Sequence, residues 1–383
     1  MKEKRKFFFY LIAILFFDFI FTSFFFKNTS YWDKIDNKYF PKKYWRIESS
    51  LFHHDLKKNI NVKENWGNYK YELITNSLGF RDKLNRRVEI KNSKKKRIYV
   101  NGDSFIEGVG FDYDDTVIGL LDSKFNENYE ILNSAVVSYS PSIYYSKTKY
   151  YINKGLVFDY CLVFLDISDI PDENFIEEDS DGKIFDIRKK NNENSLKQKI
   201  YSLSRLYRDN FITGKIIGVL REVTGNYKSQ IKKKILTSKN LNKSFFKINE
   251  DDINLYKSTH IDRSMWTYDK KYSKKWKSKG LTKSSNYLTK LFNMLNEHNI
   301  ESYLVIYPNP GQILLNEENI HEKYWTTWSL ENNVNLINLY KYFSSSDKSK
   351  TIHKYFIPGD VHWNLEGHLL VFNALLTEVF NNF

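Results

Sequence analysis

The hydropathy pattern opens with an almost unbroken apolar run from Phe7 to Phe26, preceded by Met1-Lys2-Glu3-Lys4-Arg5-Lys6. At about 1.5 Å per helical residue, about 20 residues cover about 30 Å, the thickness of a bilayer's hydrocarbon core. The basic flank predicts a cytoplasmic N-terminus. The run ends in Phe24-Phe25-Phe26-Lys27 with no small-x-small site, which favours an uncleaved signal anchor over a cleaved signal peptide. Asp18 is costly within such a span unless it is protonated or paired with a neighbouring helix. Residues 1–27 thus read as a cytoplasmic tip and transmembrane anchor. Everything after Lys27 is expected outside the cytoplasm, periplasmic or at the cell surface.

The next stretch, 28–94, is polar, aromatic-rich and weakly periodic, and reads as a stalk and lead-in, with His53 and His54 as surface residues. From Arg97 the pattern becomes regular. Arg97-Ile98-Tyr99-Val100, Glu130-Ile131-Leu132-Asn133 and Asp159 to Leu165 are β-rich runs, and Glu301 to Tyr307 and Val334 to Leu339 supply two more. Helices are predicted between them. Pro141 to Lys154 begins with Ser140 as N-cap and proline in the first turn. Leu288, Leu291, Phe292 and Leu295 share one helical face, and an amphipathic helix follows Trp363. Strands alternating with helices predict a three-layer α/β domain over 95–383, with a parallel, flavodoxin-like sheet that binds ligands at the carboxyl ends of its strands. Residues from about 172 to 280 break the rhythm. They read as an inserted helical subdomain, with a helical piece at Ile200 to Val223 and solvated lysine runs at Lys232-Lys233-Lys234 and Lys274-Lys275.

Composition changes this picture little. The 383 residues are 41% hydrophobic and 17% aromatic, so a sizeable core can form. The net charge of +13 invites a nucleic-acid reading, but the lysines are spread along the whole chain, which argues against a concentrated binding face. Attraction to anionic headgroups or acidic glycans is compatible with it. Cys161 is the single cysteine, so no internal disulfide and no cysteine-based metal site can form.

Three segments carry candidate chemistry, each where a strand should end. In Gly102-Asp103-Ser104-Phe105-Ile106-Glu107-Gly108, a serine after a Gly-Asp turn can raise its hydroxyl above the sheet. Its own N–H, heading the next helix, can stabilise an oxyanion. Serine is a weak nucleophile that needs an adjacent base, and that base needs an orienting group. Asp360 and His362, in Gly359-Asp360-Val361-His362-Trp363-Asn364-Leu365-Glu366-Gly367-His368, can supply both. Asn133 to Pro141 and Asp166-Ile167-Ser168-Asp169 can donate towards an oxyanion. Asp103 is expected to brace the nucleophile turn, Asn76 and Arg81 to fix a loop, and His368 to pack as a structural residue. Asp360 and His362 alone fall short of a catalytic zinc site, and no metal or organic cofactor is required.

With these blocks the chain resembles the SGNH (GDSL-type) hydrolase superfamily, over about 95–170 and 281–383. The run Ile74-Thr75-Asn76-Ser77-Leu78-Gly79-Phe80-Arg81-Asp82 is similar to the lead-in of its envelope-associated members, and Tyr307-Pro308-Asn309-Pro310-Gly311-Gln312 also fits them. The resemblance implies Ser104 as nucleophile, with Asp360 and His362 completing the triad. The second-block glycine, an oxyanion donor through its N–H, is replaced by Ser138. The third-block asparagine aligns with Ser168, with Asn133 as a substitute donor. The Asp-x-His step is tighter than the common Asp-x-x-His, resembles the polysaccharide O-acetylation branch, and leaves a Ser–His dyad open. The resemblance therefore implies a serine esterase for O-acylated envelope glycans or small esters. Two alternatives share the fold: a polysaccharide O-acetyltransferase, and a non-catalytic glycan-binding or assembly protein.

Overall fold

The computed structural model describes residues 2–39, 44–49, 51–91, 94–188, 196–224, 265–267, 270–315 and 319–380. The chain forms two compact units, Met1–Tyr44 with Ile187–Lys243 and Trp45–Asp186 with Ser244–Phe383. The expected boundaries at 27/28 and 94/95 are therefore not where the contacts divide. Most of the expected stalk packs with the sheet, because Trp45, Phe52, Leu56, Tyr71, Leu73, Phe80 and Val88 are buried in its core.

The strands of the larger unit are β1 (Arg46–Ser49), β2 (His53–Leu56), β3 (Asn61–Trp66), β4 (Tyr69–Ile74), β5 (Lys96–Asn101), β6 (Tyr129–Asn133), β7 (Tyr160–Leu165), β8 (Ile176–Glu178), β9 (Ile184–Asp186), β10 (Glu301–Ile306) and β11 (Asn335–Asn338). Five form one parallel sheet in the order β11-β10-β7-β5-β6. These five match the predicted runs. Counted in chain order from the other edge, the sheet runs 2-1-3-4-5, the flavodoxin-like winding with a switch point beside its first strand. The remaining strands form antiparallel pairs, β1–β2, β3–β4 and β8–β9.

Both faces of the sheet are covered, which is why β7 reads as a continuous apolar run with no alternation. Cys161, Val163 and Leu165 pack on one side with Ile143, Tyr144 and Tyr151 of helix Pro141–Asn153 and Leu288, Leu291 and Leu295 of helix Lys270–Glu297. Leu162 and Phe164 pack on the other with Val117, Ile118 and Leu121 of helix Val117–Phe125 and Val371, Ala374 and Leu375 of helix Leu365–Glu378. The helix starts follow ordinary capping chemistry: Thr116 Oγ1 accepts the N–H of Gly119 at 3.1 Å, and Asn364 Oδ1 that of Gly367 at 3.0 Å. Ser140 heads its helix, but its hydroxyl donates to Glu173 at 2.6 Å and does not cap.

In the smaller unit, helix Lys2–Phe21 continues as a π-helix over Thr22–Phe26, and Lys6–Phe26 is long and apolar enough to cross a membrane. Ser30–Tyr39 is a separate helix. The helical piece expected over Ile200 to Val223 is two helices, Leu196–Asn210 and 212–224, broken at Phe211. The break has a local cause: the N–H groups of Ile212 and Thr213 turn to Asp18. The expected 172–280 insertion is thus divided. The β8–β9 hairpin and helix Lys270–Glu297 belong to the sheet unit, whereas 196–224 belongs with the apolar N-terminal helix. The Lys232-Lys233-Lys234 run lies outside the described residues.

Candidate active site

β5 delivers the chain to Asn101, and Gly102-Asp103 turn it into the one-turn helix Ser104–Glu107. Asp103 caps that turn, its Oδ1 accepting the N–H of Phe105 at 3.0 Å. Gly108 ends it at φ +74°, where a Cβ would lie 2.4 Å from Thr116 Cγ2 and 2.8 Å from Arg81 Nη1. Arg81, fully buried, donates Nη1 to the carbonyls of Glu107 and Gly108 and Nη2 to that of Phe111. The lead-in run therefore grips the underside of the serine turn, a loop-fixing role for Arg81. Asn76 likewise stays local, donating to Asp82 at 2.9 Å and accepting the N–H of Leu78 at 2.9 Å.

Ser104 meets the C-terminal loop directly. His362 Nε2 lies 2.8 Å from Ser104 Oγ, and His362 Nδ1 lies 2.5 Å from Asp360 Oδ1. With Nδ1–H donating to the carboxylate, Nε2 is left to accept the serine proton. Asp103 Oδ2, 3.2 Å from Ser104 Oγ, competes for that single proton at longer range. The tight Asp-x-His step thus permits contact, because Asp360 Oδ1 also accepts the backbone N–H of His362 at 3.2 Å. Trp66 Nε1 donates to the second oxygen of Asp360 at 3.0 Å, and its ring stands edge-on to His362 at 4.9 Å. Phe105 packs on His362 at 4.6 Å, while Ser104 keeps 8% of its surface exposed. His368 accepts the N–H of Val117 at 3.2 Å through Nδ1, and burial lowers its pKa to about 3, in keeping with structural packing.

Burial alone would lower the His362 pKa, but the hydrogen bond and charge of Asp360, aided by Asp103 and Asp166, raise it above its ordinary value. If neutral His362 is the base, turnover falls as pH drops through a midpoint above 6.5. In Asp360→Asn the midpoint should move down and turnover drop by at least about tenfold. A pH series of initial ester-hydrolysis rates checks both, and an unmoved midpoint in the variant would disprove the pairing.

Asp103, Asp166 and Asp169 bring carboxylate oxygens within 4.8 Å of one another beneath the serine turn, all buried. They are close enough to converge on a cation. They are also suited to hold protons. Burial, then Asp166, pushes Asp103 up to about 7, and burial raises Asp166 and Asp169 as well. Sequence reasoning missed this cluster and Trp66. Only the strand-end position of Asp103 and Asp166 hinted at the first, and nothing in the sequence marked the second.

The expected oxyanion donors divide. Ser138 sits in the left-handed region at φ +63°, the conformation for which glycine is favoured. The N–H groups of Ser104 and Ser138 find no acceptor among the described residues. Ser168 departs from expectation: its hydroxyl and N–H both turn to Asp166 Oδ2, because the Asp-Ile-Ser step closes a turn on its own carboxylate. Asn133 is also engaged, donating Nδ2 to the carbonyl of Ile106 at 2.8 Å. His53 and His54 are half-buried, not on the open surface; His54 Nε2 bonds the carbonyl of Val137 at 2.7 Å, and burial lowers its pKa to about 4.

Ser138→Gly keeps the N–H and relieves the left-handed side chain, partly offset by the freer unfolded glycine. Stability should rise by up to about 1 kcal/mol, with turnover within about threefold of wild type. A thermal melt checks this; a loss beyond about 1 kcal/mol would show that the Ser138 hydroxyl is needed.

No family model and no curated protein matches the chain. Solved structures do. A member of the lipolytic protein G-D-S-L family from Veillonella parvula DSM 2008 is 11% identical, with 75% of this chain and 100% of that chain covered and a TM-score of 0.39. A psychrotrophic esterase from Pseudoalteromonas sp. is 11% identical, with 75% and 98% covered and a TM-score of 0.37. A mutant of an acetyl-xylooligosaccharide esterase from Geobacillus is 11% identical, with 76% and 96% covered and a TM-score of 0.35.

Proposed function

We propose that this chain is a membrane-anchored ester hydrolase of the SGNH (GDSL) type. The observation that carries the reading is the unbroken hydrogen-bond chain Ser104–His362–Asp360, at 2.8 and 2.5 Å, at the carboxyl end of β5 beside the switch point of the sheet. Ser104 Oγ attacks the acyl carbonyl carbon while His362 Nε2 takes its proton. The N–H groups of Ser104 and Ser138 hold the oxyanion, and His362 returns the proton to the departing alkoxide oxygen. Water, deprotonated by His362, then frees the acid and restores Ser104. Asp360 fixes the imidazole tautomer, and Trp66 fixes Asp360.

The substrate class is an O-acylated, most simply O-acetylated, envelope glycan or a small ester. The helix Lys6–Phe26 anchors the enzyme, with the catalytic unit outside the cytoplasm, periplasmic or at the cell surface. Transfer of the acyl group to a sugar hydroxyl is the second reading, suggested by the resemblance of the Asp-x-His step to the O-acetylation branch; the Asp360–His362 contact serves either acceptor. The test is p-nitrophenyl acetate turnover by the full-length protein in detergent, with and without a sugar acceptor. Free acetate as the sole product supports hydrolysis, acetylated sugar supports transfer, and no turnover above a Ser104→Ala control removes both.

A further inference from the structure

Helices Leu196–Asn210 and 212–224 each present an apolar face that no other described residue of their unit covers. Ile200, Leu203 and Leu206 recur along the first, and Ile216, Ile217, Leu220 and Val223 along the second. All seven are 45–65% exposed. A lone exposed leucine is ordinary, whereas seven large apolar side chains on two successive helices form a patch that needs a partner.

The connection between the helices indicates the partner, because it is fastened to the apolar N-terminal helix. Asp18 Oδ1 accepts the N–H of Ile212 at 3.1 Å, and Oδ2 accepts the N–H of Thr213 at 3.4 Å and also its hydroxyl. Thr22 Oγ1 accepts the same Ile212 N–H at 2.8 Å and donates to Asp18 at 3.1 Å. Phe211 packs on Phe19 at 5.6 Å, and Lys27 Nζ donates to Asn210 at 2.7 Å. Asp18 precedes Phe26 by eight residues, or about 12 Å of helix. The start of helix 212–224 is therefore held beside the outer half of the candidate span. Its first N–H groups, which have no intrahelical acceptor, are capped by the one carboxylate of that span. Lys215, in the same helix, is buried, pairs with Asp36 and lies 4.3 Å from the buried Trp32 ring of helix Ser30–Tyr39, which ties helix 212–224 to the segment that follows the candidate span.

We infer that residues 196–224 form a second membrane contact: an amphipathic helical pair that dips into the outer leaflet of a phospholipid bilayer, its connection docked on the anchor through Asp18. The inference rests on the reading of Lys6–Phe26 as an anchor. The patch continues the apolar surface of that helix, and two half-buried amphipathic helices suit an interface better than a span. Asp18 then has a structural purpose inside hydrocarbon. It caps the helix that lies beside it.

The experiment uses the full-length protein in phosphatidylcholine vesicles, with one added cysteine labelled by an environment-sensitive fluorophore; native Cys161 is buried. Leu203→Cys and Leu220→Cys report on the pair, Phe17→Cys on the anchor, and Leu84→Cys on an exposed position of the sheet unit. The expected result is at least about twofold quenching by doxyl-labelled lipids at 17, 203 and 220, with iodide quenching confined to 84. Lipid quenching at 17 together with iodide quenching at 203 and 220 would overturn the inference while leaving the anchor intact. That is also the outcome if the patch serves another protein, since these vesicles contain none. Iodide quenching at 17 would overturn the anchor reading, and this inference with it.

Discussion

Replacing Ser104 with alanine is expected to cut ester turnover by at least about 1,000-fold, a loss of about 4 kcal/mol in transition-state stabilisation, with little change in stability. The hydroxyl is 2.8 Å from His362 and, among the described residues, makes one other hydrogen bond, to Asp103, so its removal leaves the turn cap on Phe105 and the Arg81 clamp in place. His362→Ala should cost about as much as Ser104→Ala, and the double variant little more, because serine and base act as a unit. That non-additivity distinguishes a nucleophile–base pair from two residues that merely line a pocket. The measurement is kcat and KM for p-nitrophenyl acetate in the three variants, alongside thermal unfolding. Turnover in Ser104→Ala within about tenfold of wild type, with the fold intact, would remove the nucleophile assignment.

Much of this site was legible in the chain because it rests on short-range pattern. The sheet strands are buried on both faces, and so appear as apolar runs whose ends could be read within a few residues. Ser104 and the Asp360–His362 pair both stand at such ends, and each group is compact in sequence. The unread features depend on contacts between distant segments. Trp66 reaches Asp360 across 294 positions, and nothing about a tryptophan ahead of a turn announces that. Asp103 and Asp166 follow different strands, so their proximity comes from strand order, not from spacing. Ser168 could be placed at a strand end, but its hydroxyl had a nearer acceptor two residues back. The division of the chain at Tyr44 was hidden for a related reason. The short strand pairs β1–β2 and β3–β4 are too polar to look like core, yet each buries one or two large side chains in the core of the five-stranded sheet.

The largest stability effect is expected at Glu107, three residues after Ser104 and the last residue of the serine turn. Its side chain is fully buried. Arg46 of β1 reaches it with two parallel hydrogen bonds, Nη2 to Oε1 at 2.6 Å and Nη1 to Oε2 at 3.0 Å. Oε2 also accepts the N–H of Val137 at 2.8 Å, the residue before Ser138. Burial would raise the Glu107 pKa, but Arg46, the Val137 N–H and Arg81 outweigh it and hold the carboxyl below its ordinary range. Glu107→Ala removes a counter-charge from Arg46, which keeps Glu64 at 3.7 Å, and from buried Arg81, orphans the Val137 N–H, and leaves a void. Breaking a buried pair from one side costs about 3–5 kcal/mol. In a unit of this size that lowers Tm by about 6–15 °C. Glu107→Gln keeps the volume and an acceptor for Val137, so it should lose clearly less. The effect has a pH signature. A depressed folded pKa gives stability that is present above the unfolded value near 4.5 and is lost as pH falls through the folded one. Wild type should therefore approach Glu107→Gln in Tm as pH is lowered below 4.5, while the two stand apart at neutral pH. Because Val137 leads into Ser138, Glu107→Gln should also lower kcat more than it raises KM. A Glu107→Ala protein melting within about 2 °C of wild type at neutral pH would show that the carboxylate does not hold the turn.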